Sequence, residues 1–175
     1  MNCSAKTMNM TALQITRVAM LASLLYVSKF ALDAIPNVEL VSMMVIIYTL
    51  LLGKETYMIV TVFNMYQVMQ WGFGIWTISY FYVWPILVTL TLFFKRFLKE
   101  DFTLWSIFSG VFGLIFGALF SVLFIVIDPS YALTYWITGL PWDVIHCIGN
   151  FALMFAIGKP VYEKMKYFGR DFLLK

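Results

Sequence analysis

The distribution of charge along this chain is its most constraining feature. The sequence divides into about six apolar stretches that are long enough to cross a bilayer. Of the 12 Lys and Arg residues, all but Lys29 lie in connections or helix ends that would share one side of the membrane. They are Lys6, Arg17, Lys54, Lys95, Arg96, Lys99, Lys159, Lys164, Lys166, Arg170 and Lys175. The alternate connections carry Asp33, Glu39 and Asp128. Under the positive-inside rule, this pattern predicts six spans with both termini in the cytoplasm.

The composition agrees with a membrane protein of a single domain. Of the 175 residues, 62% are hydrophobic and 12% are charged, whereas soluble domains carry about 25% charged residues. Six helices of about 20 residues would use most of the chain. A net charge of +3 fits cytoplasmic flanks beside anionic lipid and does not indicate nucleic-acid binding.

We therefore predict an all-α membrane protein whose one domain, residues 1–175, is a bundle of six transmembrane helices. The predicted spans are residues 13–32, 38–53, 56–72, 76–94, 104–127 and 138–158. Thr138 or Gly139 is expected to enter the sixth span, with Pro141 in its first turn.

Two stripes of small residues predict close helix packing, because small side chains let backbones approach in lipid. In helix five the stripe is Ser106, Gly110, Gly113, Gly117 and Ser121, and packing inside the bundle is the favoured interpretation. In helix one it is Ala19, Ala22 and Ser23. There, docking of another subunit and internal packing are equally good interpretations.

Polar residues at membrane depth usually face a cavity or a partner. Asp143, His146 and Asn150 share one face of helix six, at spacings of i, i+3 and i+7. They are candidate ligand contacts, although Asp143 could instead complement the helix dipole and the other two could bond between helices.

Helix three carries a matching set, Asn64, Gln67 and Trp71, also towards the outer end. Its amides both donate and accept hydrogen bonds, which suits a nitrogen heterocycle. Lys29 is a further candidate ligand contact; the alternatives are an ion pair with Asp33, one helical turn away, and snorkelling to the interface.

Aromatic residues crowd the same outer end. Tyr80, Trp84 and Trp136 join Trp71 there, and of the 6 Trp residues only Trp105 lies near the inner end. An aromatic belt would occupy both interfaces. The asymmetry favours stacking walls for a planar ligand.

The sequence gives little reason to expect metal binding, a cofactor or catalysis. One His and two separated Cys cannot form a soft four-ligand site. The motifs of nucleophilic hydrolases, zinc proteases and nucleotide-binding loops do not occur. We therefore predict a protein that is not an enzyme and has neither a metal site nor a cofactor.

The chain resembles the substrate-binding S components of energy-coupling factor (ECF) transporters over its whole length. The resemblance lies in the six spans, in the opening Thr16–Ser23 with its Ala19-x-x-x-Ser23 pair, and in the final span with its Asp143, His146 and Asn150. It implies capture of a vitamin or similar micronutrient from outside a bacterial cytoplasmic membrane. It also implies a transmembrane coupling subunit docked on helix one and two cytosolic ATPase subunits.

Two other functions compete with this interpretation. One is a small integral-membrane enzyme acting on a lipid or isoprenoid, with Asp143 and His146 as acid–base groups. The other is a membrane scaffold without a ligand. The polar face lies outward, away from soluble cytosolic cosubstrates, which favours the binding subunit.

Overall fold

The computed structural model describes residues 11–32 and 37–169, except for the side chain of Phe168. Within these ranges it is helical, with no strand. The helices are α1 Ala12–Phe30, α2 Val41–Leu52, α3 Thr56–Trp71, α4 Ile75–Leu98, α5 Phe102–Ile125, α6 Pro129–Leu153 and α7 Lys159–Phe168. A 3-10 turn, Gly53–Glu55, joins α2 to α3, and a π-helical turn, Met154–Gly158, joins α6 to α7. Lys6, Asp33, Arg170 and Lys175 lie outside the described residues.

Four helical segments are long and apolar enough to cross a membrane, which confirms the prediction of a helical membrane protein. They are Val41–Trp71, Ile75–Leu98, Phe102–Ile125 and Pro129–Tyr167. The first combines α2 and α3, although Gly53, at φ +62° and ψ −128°, interrupts the helix between them. Helix α1 is not among the four, because Gln14, Arg17 and Lys29 lower its hydropathy. Six crossings therefore remain a prediction.

The sixth predicted span begins earlier than expected. Helix α6 begins at Pro129, not near residue 138, and Pro141 lies inside the helix and not in its first turn. The side chain of Asp128 accepts hydrogen bonds from the backbone N–H groups of Ser130 and Tyr131. An N-cap Asp followed by Pro is a signal for the start of a helix, whereas the sequence analysis assigned this pair to the end of helix five.

Side-chain contacts give α1 and α3 the same direction. Arg17 pairs with Glu55 near the first turn of each helix, and Lys29 bonds to Gln67 near their last turns. Helix α2 runs the opposite way. It starts close to α6, where Asn37 donates to the carbonyl of Trp142, and it ends beside α4, where Lys95 donates to the carbonyl of Leu50.

The remaining helices continue this alternation of direction. Between α3 and α4 the hydroxyls of Tyr57 and Thr89 are bonded, and Asn64 donates to the carbonyl of Tyr80. Tyr82 of α4 donates to the carbonyl of Leu119 in α5. Consecutive helices from α1 to α6 are thus antiparallel, and the bundle has two ends. We call the end with Arg17, Glu55 and Lys95 the basic end, and the opposite end the cavity end.

Helix α2 forms the centre of the bundle. Every residue from Val41 to Leu50 is buried, as expected of a helix that is apolar on all sides. Other helices expose large apolar side chains outward, among them Val27 of α1 and Ile107 of α5. Such an exterior suits a lipid environment.

The glycines of α5 allow α6 to approach closely. A Cβ atom at Gly113 would lie 2.8 Å from the carbonyl oxygen of His146, and one at Gly110 would lie 3.2 Å from Cβ of Phe151. The predicted role of this stripe in packing within the bundle is confirmed. The close approach also carries the polar face of α6 toward the interior.

A candidate ligand-binding cavity

A cavity of about 1130 Å³ opens at the cavity end of the bundle. Side chains from α1, α3, α4, α5 and α6 and from the segment before α2 line it. Its size is close to the upper end of the usual range for small-molecule sites, about 300–1,000 Å³. The helix ends therefore enclose enough space for an organic molecule of vitamin size.

One wall of the cavity carries two carboxylates and the imidazole. Asp143 is 5% exposed, and its Oδ1 accepts a 3.0 Å hydrogen bond from the backbone N–H of Gly117. Nε2 of His146 lies 3.7 Å from Oε1 of Glu39, too far for a hydrogen bond. Asp143 Oδ2, His146 Nε2 and Glu39 Oε1 have no hydrogen-bond partner in the part of the chain that the structure describes. We call Glu39, Asp143 and His146 the acidic wall.

A second part of the cavity lining is built around Lys29. Its Nζ donates to Oε1 of Gln67 and to the hydroxyl of Tyr80, both at 3.3 Å, and lies 4.7 Å from the centre of the Tyr80 ring. Because Oε1 of Gln67 accepts from Lys29, Nε2 is the group left over, and it has no partner among residues 11–32 and 37–169. The cavity lining thus carries unpartnered acceptors on Glu39 and Asp143 and an unpartnered amide donor on Gln67.

Aromatic rings form much of the remaining surface. Phe116 and Phe120 are stacked with centroids 4.8 Å apart, and Trp76 meets Phe120 edge-on at 6.1 Å. His146 contacts the ring of Phe116 at 4.7 Å. Flat apolar walls of this kind favour a planar ligand.

The structure brings six of the predicted ligand contacts to the cavity and leaves four outside it. Lys29, Gln67, Trp71, Tyr80, Asp143 and His146 line it. Asn64 is buried behind it, bonded to Tyr80. Trp84 is buried under Tyr80, with the two rings stacked at 5.8 Å. Asn150 lies deeper, with Nδ2 3.4 Å from the carbonyl of Ser109, and Trp136 is not a lining residue.

Sequence reasoning missed the contribution of α5 to this site. Phe116, Gly117 and Phe120 line the cavity, but the sequence analysis treated this helix only as a packing element. The contact between α5 and Asp143 could have been predicted from the glycine stripe. Gly117 is the glycine of α5 nearest the outer end, and Asp143 is the first residue of the polar face of α6, so the two lie at the same level.

A second concave surface lies between α1 and α3 towards the basic end. This groove of about 440 Å³ is lined by Ile15, Val18, Ala19, Tyr57, Met58, Thr61 and Val62, and we call it the α1–α3 groove. Ala19 and Ser23 are exposed, as docking requires. Ala22 is fully buried in the core, which fits internal packing, the other interpretation of this stripe, and docking stays a prediction for Ala19 and Ser23.

The described residues contain no group of three or more His, Cys, Asp or Glu side chains that could hold a metal ion. The chain matches no protein-family model, and comparisons with curated proteins and with solved structures found no significant similarity.

Proposed function

We propose that this chain is the substrate-binding subunit of an ECF-type importer. In this proposal it captures a vitamin or a related nitrogen-heterocycle micronutrient outside the cell, for ATP-driven uptake by partner subunits. The cavity is the binding site, and the protein itself performs no chemistry on the ligand.

The observation that carries this proposal is the set of buried polar atoms without a hydrogen-bond partner on side chains that line an aromatic cavity. An unpaired buried polar group costs about 1–3 kcal/mol, so a bundle that needed only to pack would gain by replacing these side chains. Asp143, His146 and Gln67 leave three such atoms around one space. A bound ligand with complementary groups offsets that cost.

Charge and helix direction support an outward-facing site. Arg17, Lys54 and Lys95 lie at the basic end, and the cavity lies at the other. If α1–α6 each cross the membrane, the positive-inside rule puts the basic end and both termini in the cytoplasm. The cavity then faces the medium, where a micronutrient is captured.

The α1–α3 groove supports the proposed docking of a transmembrane coupling subunit. Its lining is apolar apart from the hydroxyls of Tyr57 and Thr61, and Ala19 provides a small residue at which a partner helix can approach closely. Two cytosolic ATPases attached to that coupling subunit supply the energy.

The test is ATP-dependent uptake by the reconstituted complex. Proteoliposomes containing this chain, the coupling subunit and both ATPases are loaded with ATP and placed in yeast extract, and their contents are analysed by mass spectrometry. We expect enrichment of one organic micronutrient, and no enrichment with a non-hydrolysable ATP analogue. Equal contents under both conditions would reject the importer proposal, and chemical conversion of a lipid would support the enzyme alternative.

A further inference from the structure

We propose that the ligand of the cavity is an amino-substituted, planar nitrogen heterocycle that turns an N–H-donating edge toward Asp143. This inference rests on the proposed function and gives the class of its substrate. It also assigns Gly117 as the residue that positions Asp143.

The orientation of Asp143 is the first step of the argument. Its Oδ1 is held at 3.0 Å by the backbone N–H of Gly117, so the direction of Oδ2 is fixed by the backbone of α5. Oδ2 has no hydrogen-bond partner within the described ranges, and the residue is 5% exposed. An ionised carboxylate only accepts hydrogen bonds, so the complementary ligand group is a donor.

The neighbours of Asp143 strengthen that requirement. Glu39 adds a second acceptor, Oε1, on the same wall. His146 is the basic side chain on that wall, and its Nε2 is 3.7 Å from Oε1 of Glu39. A carboxylate or phosphate on the ligand would meet two acids here, and such like-charge contacts are unfavourable. A ring N–H with an adjacent amino group supplies donors and no negative charge.

The other surfaces define the rest of the ligand. Nε2 of Gln67, another lining residue, is a donor without a hydrogen-bond partner in the described structure, so it suits a ring nitrogen or a carbonyl elsewhere on the ligand. Trp76, Phe116 and Phe120 provide flat apolar surfaces. Donors at one edge, an acceptor at the other and a flat ring between them are the features of an aminated heterocycle.

Gly117 is required for this arrangement. A Cβ atom at this position would collide with both carboxylate oxygens of Asp143, lying 2.7 Å from Oδ1 and closer still to Oδ2, so alanine would displace the carboxylate and remove its orientation. Leu114→Ala is the matched control, because Leu114 is exposed on the same helix and does not line the cavity.

The test measures binding of matched probes to the full chain in detergent by quenching of tryptophan fluorescence. The probes are guanosine against inosine, 2,4-diaminopyrimidine against uracil, and nicotinate as a planar anion. We expect at least one amino-bearing probe to bind about tenfold more tightly than its partner, a difference of about 1.4 kcal/mol, because it forms an additional hydrogen bond to a charged group. Asp143→Asn, which replaces the acceptor Oδ2 by a donor, and Gly117→Ala should each remove that preference, while Leu114→Ala should keep it.

Equal affinities within both pairs, a preference for nicotinate, a preference that survives Asp143→Asn, or no binding by the folded protein would each overturn the inference. These outcomes are independent of the coupling subunit. An importer that accumulates a compound without an amino N–H edge would contradict this inference and leave the proposed function intact, whereas absence of ATP-dependent uptake would contradict the proposed function itself.

Discussion

The two ends of the bundle differ in whether their polar groups have hydrogen-bond partners within the protein. At the basic end, Arg17 and Glu55 form a two-point ion pair, and Lys95 donates to the carbonyl of Leu50 at 2.7 Å. Glu100 accepts hydrogen bonds from Tyr162 and Lys166. At the cavity end, buried atoms of Gln67, Asp143 and His146 have no protein partner among the described residues. Polar groups of the first kind hold helices together, and those of the second kind are available to a ligand.

The difference teaches that the stability and the binding of this protein are separable. A buried charged group is stabilised by its partner. If the partner is removed, the desolvation penalty of the remaining charge is no longer compensated and the folded state is destabilised. An unpaired buried group lowers the stability of the fold by about 1–3 kcal/mol and is available for recognition instead. Substitutions at the two ends should therefore change different measured quantities.

The largest expected effect concerns the α1–α3 groove. Ala19→Trp should abolish ATP-dependent uptake and leave ligand affinity unchanged, because the indole fills the groove proposed for the coupling subunit. Uptake by the reconstituted complex and fluorescence titration of the free chain measure the two properties. Met20→Trp is the control, since Met20 is exposed on the same helix but does not line the groove. Normal uptake by the Ala19 variant would show that the coupling subunit does not dock in this groove.

The next effect concerns stability at the basic end. Arg17→Ala should lower the free energy of unfolding by about 3 kcal/mol, because it leaves the carboxylate of Glu55 buried without its ion pair. Unfolding in mixed micelles measures the change. The double variant Arg17→Met, Glu55→Leu should recover most of the loss, since it leaves no buried charge at this site. A double variant as unstable as the single one would show that the pair itself does not hold α1 to the turn before α3.

A smaller effect is expected from the imidazole of the acidic wall. His146→Ala should weaken ligand binding about tenfold and leave the unfolding free energy nearly unchanged, because removal of the buried Nε2, which has no hydrogen bond in the described part of the chain, offsets the lost packing of the imidazole on Phe116. Cys147→Ala is the neighbouring control, since Cys147 does not line the cavity. Unchanged affinity in the His146 variant would exclude a direct contact with the ligand.

The smallest effect is a pH dependence at the basic end. Hydrogen bonds from Lys166 and Tyr162 lower the pKa of Glu100. A lowered pKa adds stability above the pKa of the unfolded state, about 4.3 for glutamate, and this stability is lost as the pH falls through the pKa of the folded state. Glu100→Gln should therefore lower the melting temperature slightly at pH 7 and have no effect at strongly acidic pH. Because the Glu100 side chain is 66% exposed, solvent screening keeps the effect small, and equal shifts at both pH values would contradict this origin.

Sequence patterns predicted the helices better than they predicted the site. Apolar runs give the positions of helices directly. The Asp128–Pro129 pair fits both the end of one helix and the beginning of the next, and it was predicted to end helix five, whereas it begins α6. Helical spacing also gave the correct face for Asn64, Gln67 and Trp71. Spacing could not show how far along the helix the cavity extends, and of these three residues only Gln67 and Trp71 line it.

The contribution of α5 shows what spacing alone leaves out. The hydrogen bond from Gly117 to Asp143 depends on how closely two helices approach, which is a property of the packed bundle. The same is true of Ala22, whose spacing fits a docking stripe but whose side chain faces the core. Which neighbour covers a residue is set by tertiary packing.

The most direct test of the account is mass spectrometry of small molecules that remain bound to the chain after purification in detergent. Wild-type protein and Asp143→Asn are compared, with Leu114→Ala as the control. We predict one amino-substituted heterocycle bound to the wild type and to the control, and its loss from Asp143→Asn. Retention of lipid alone, identical in all three proteins, would contradict the claim that the cavity end binds a micronutrient.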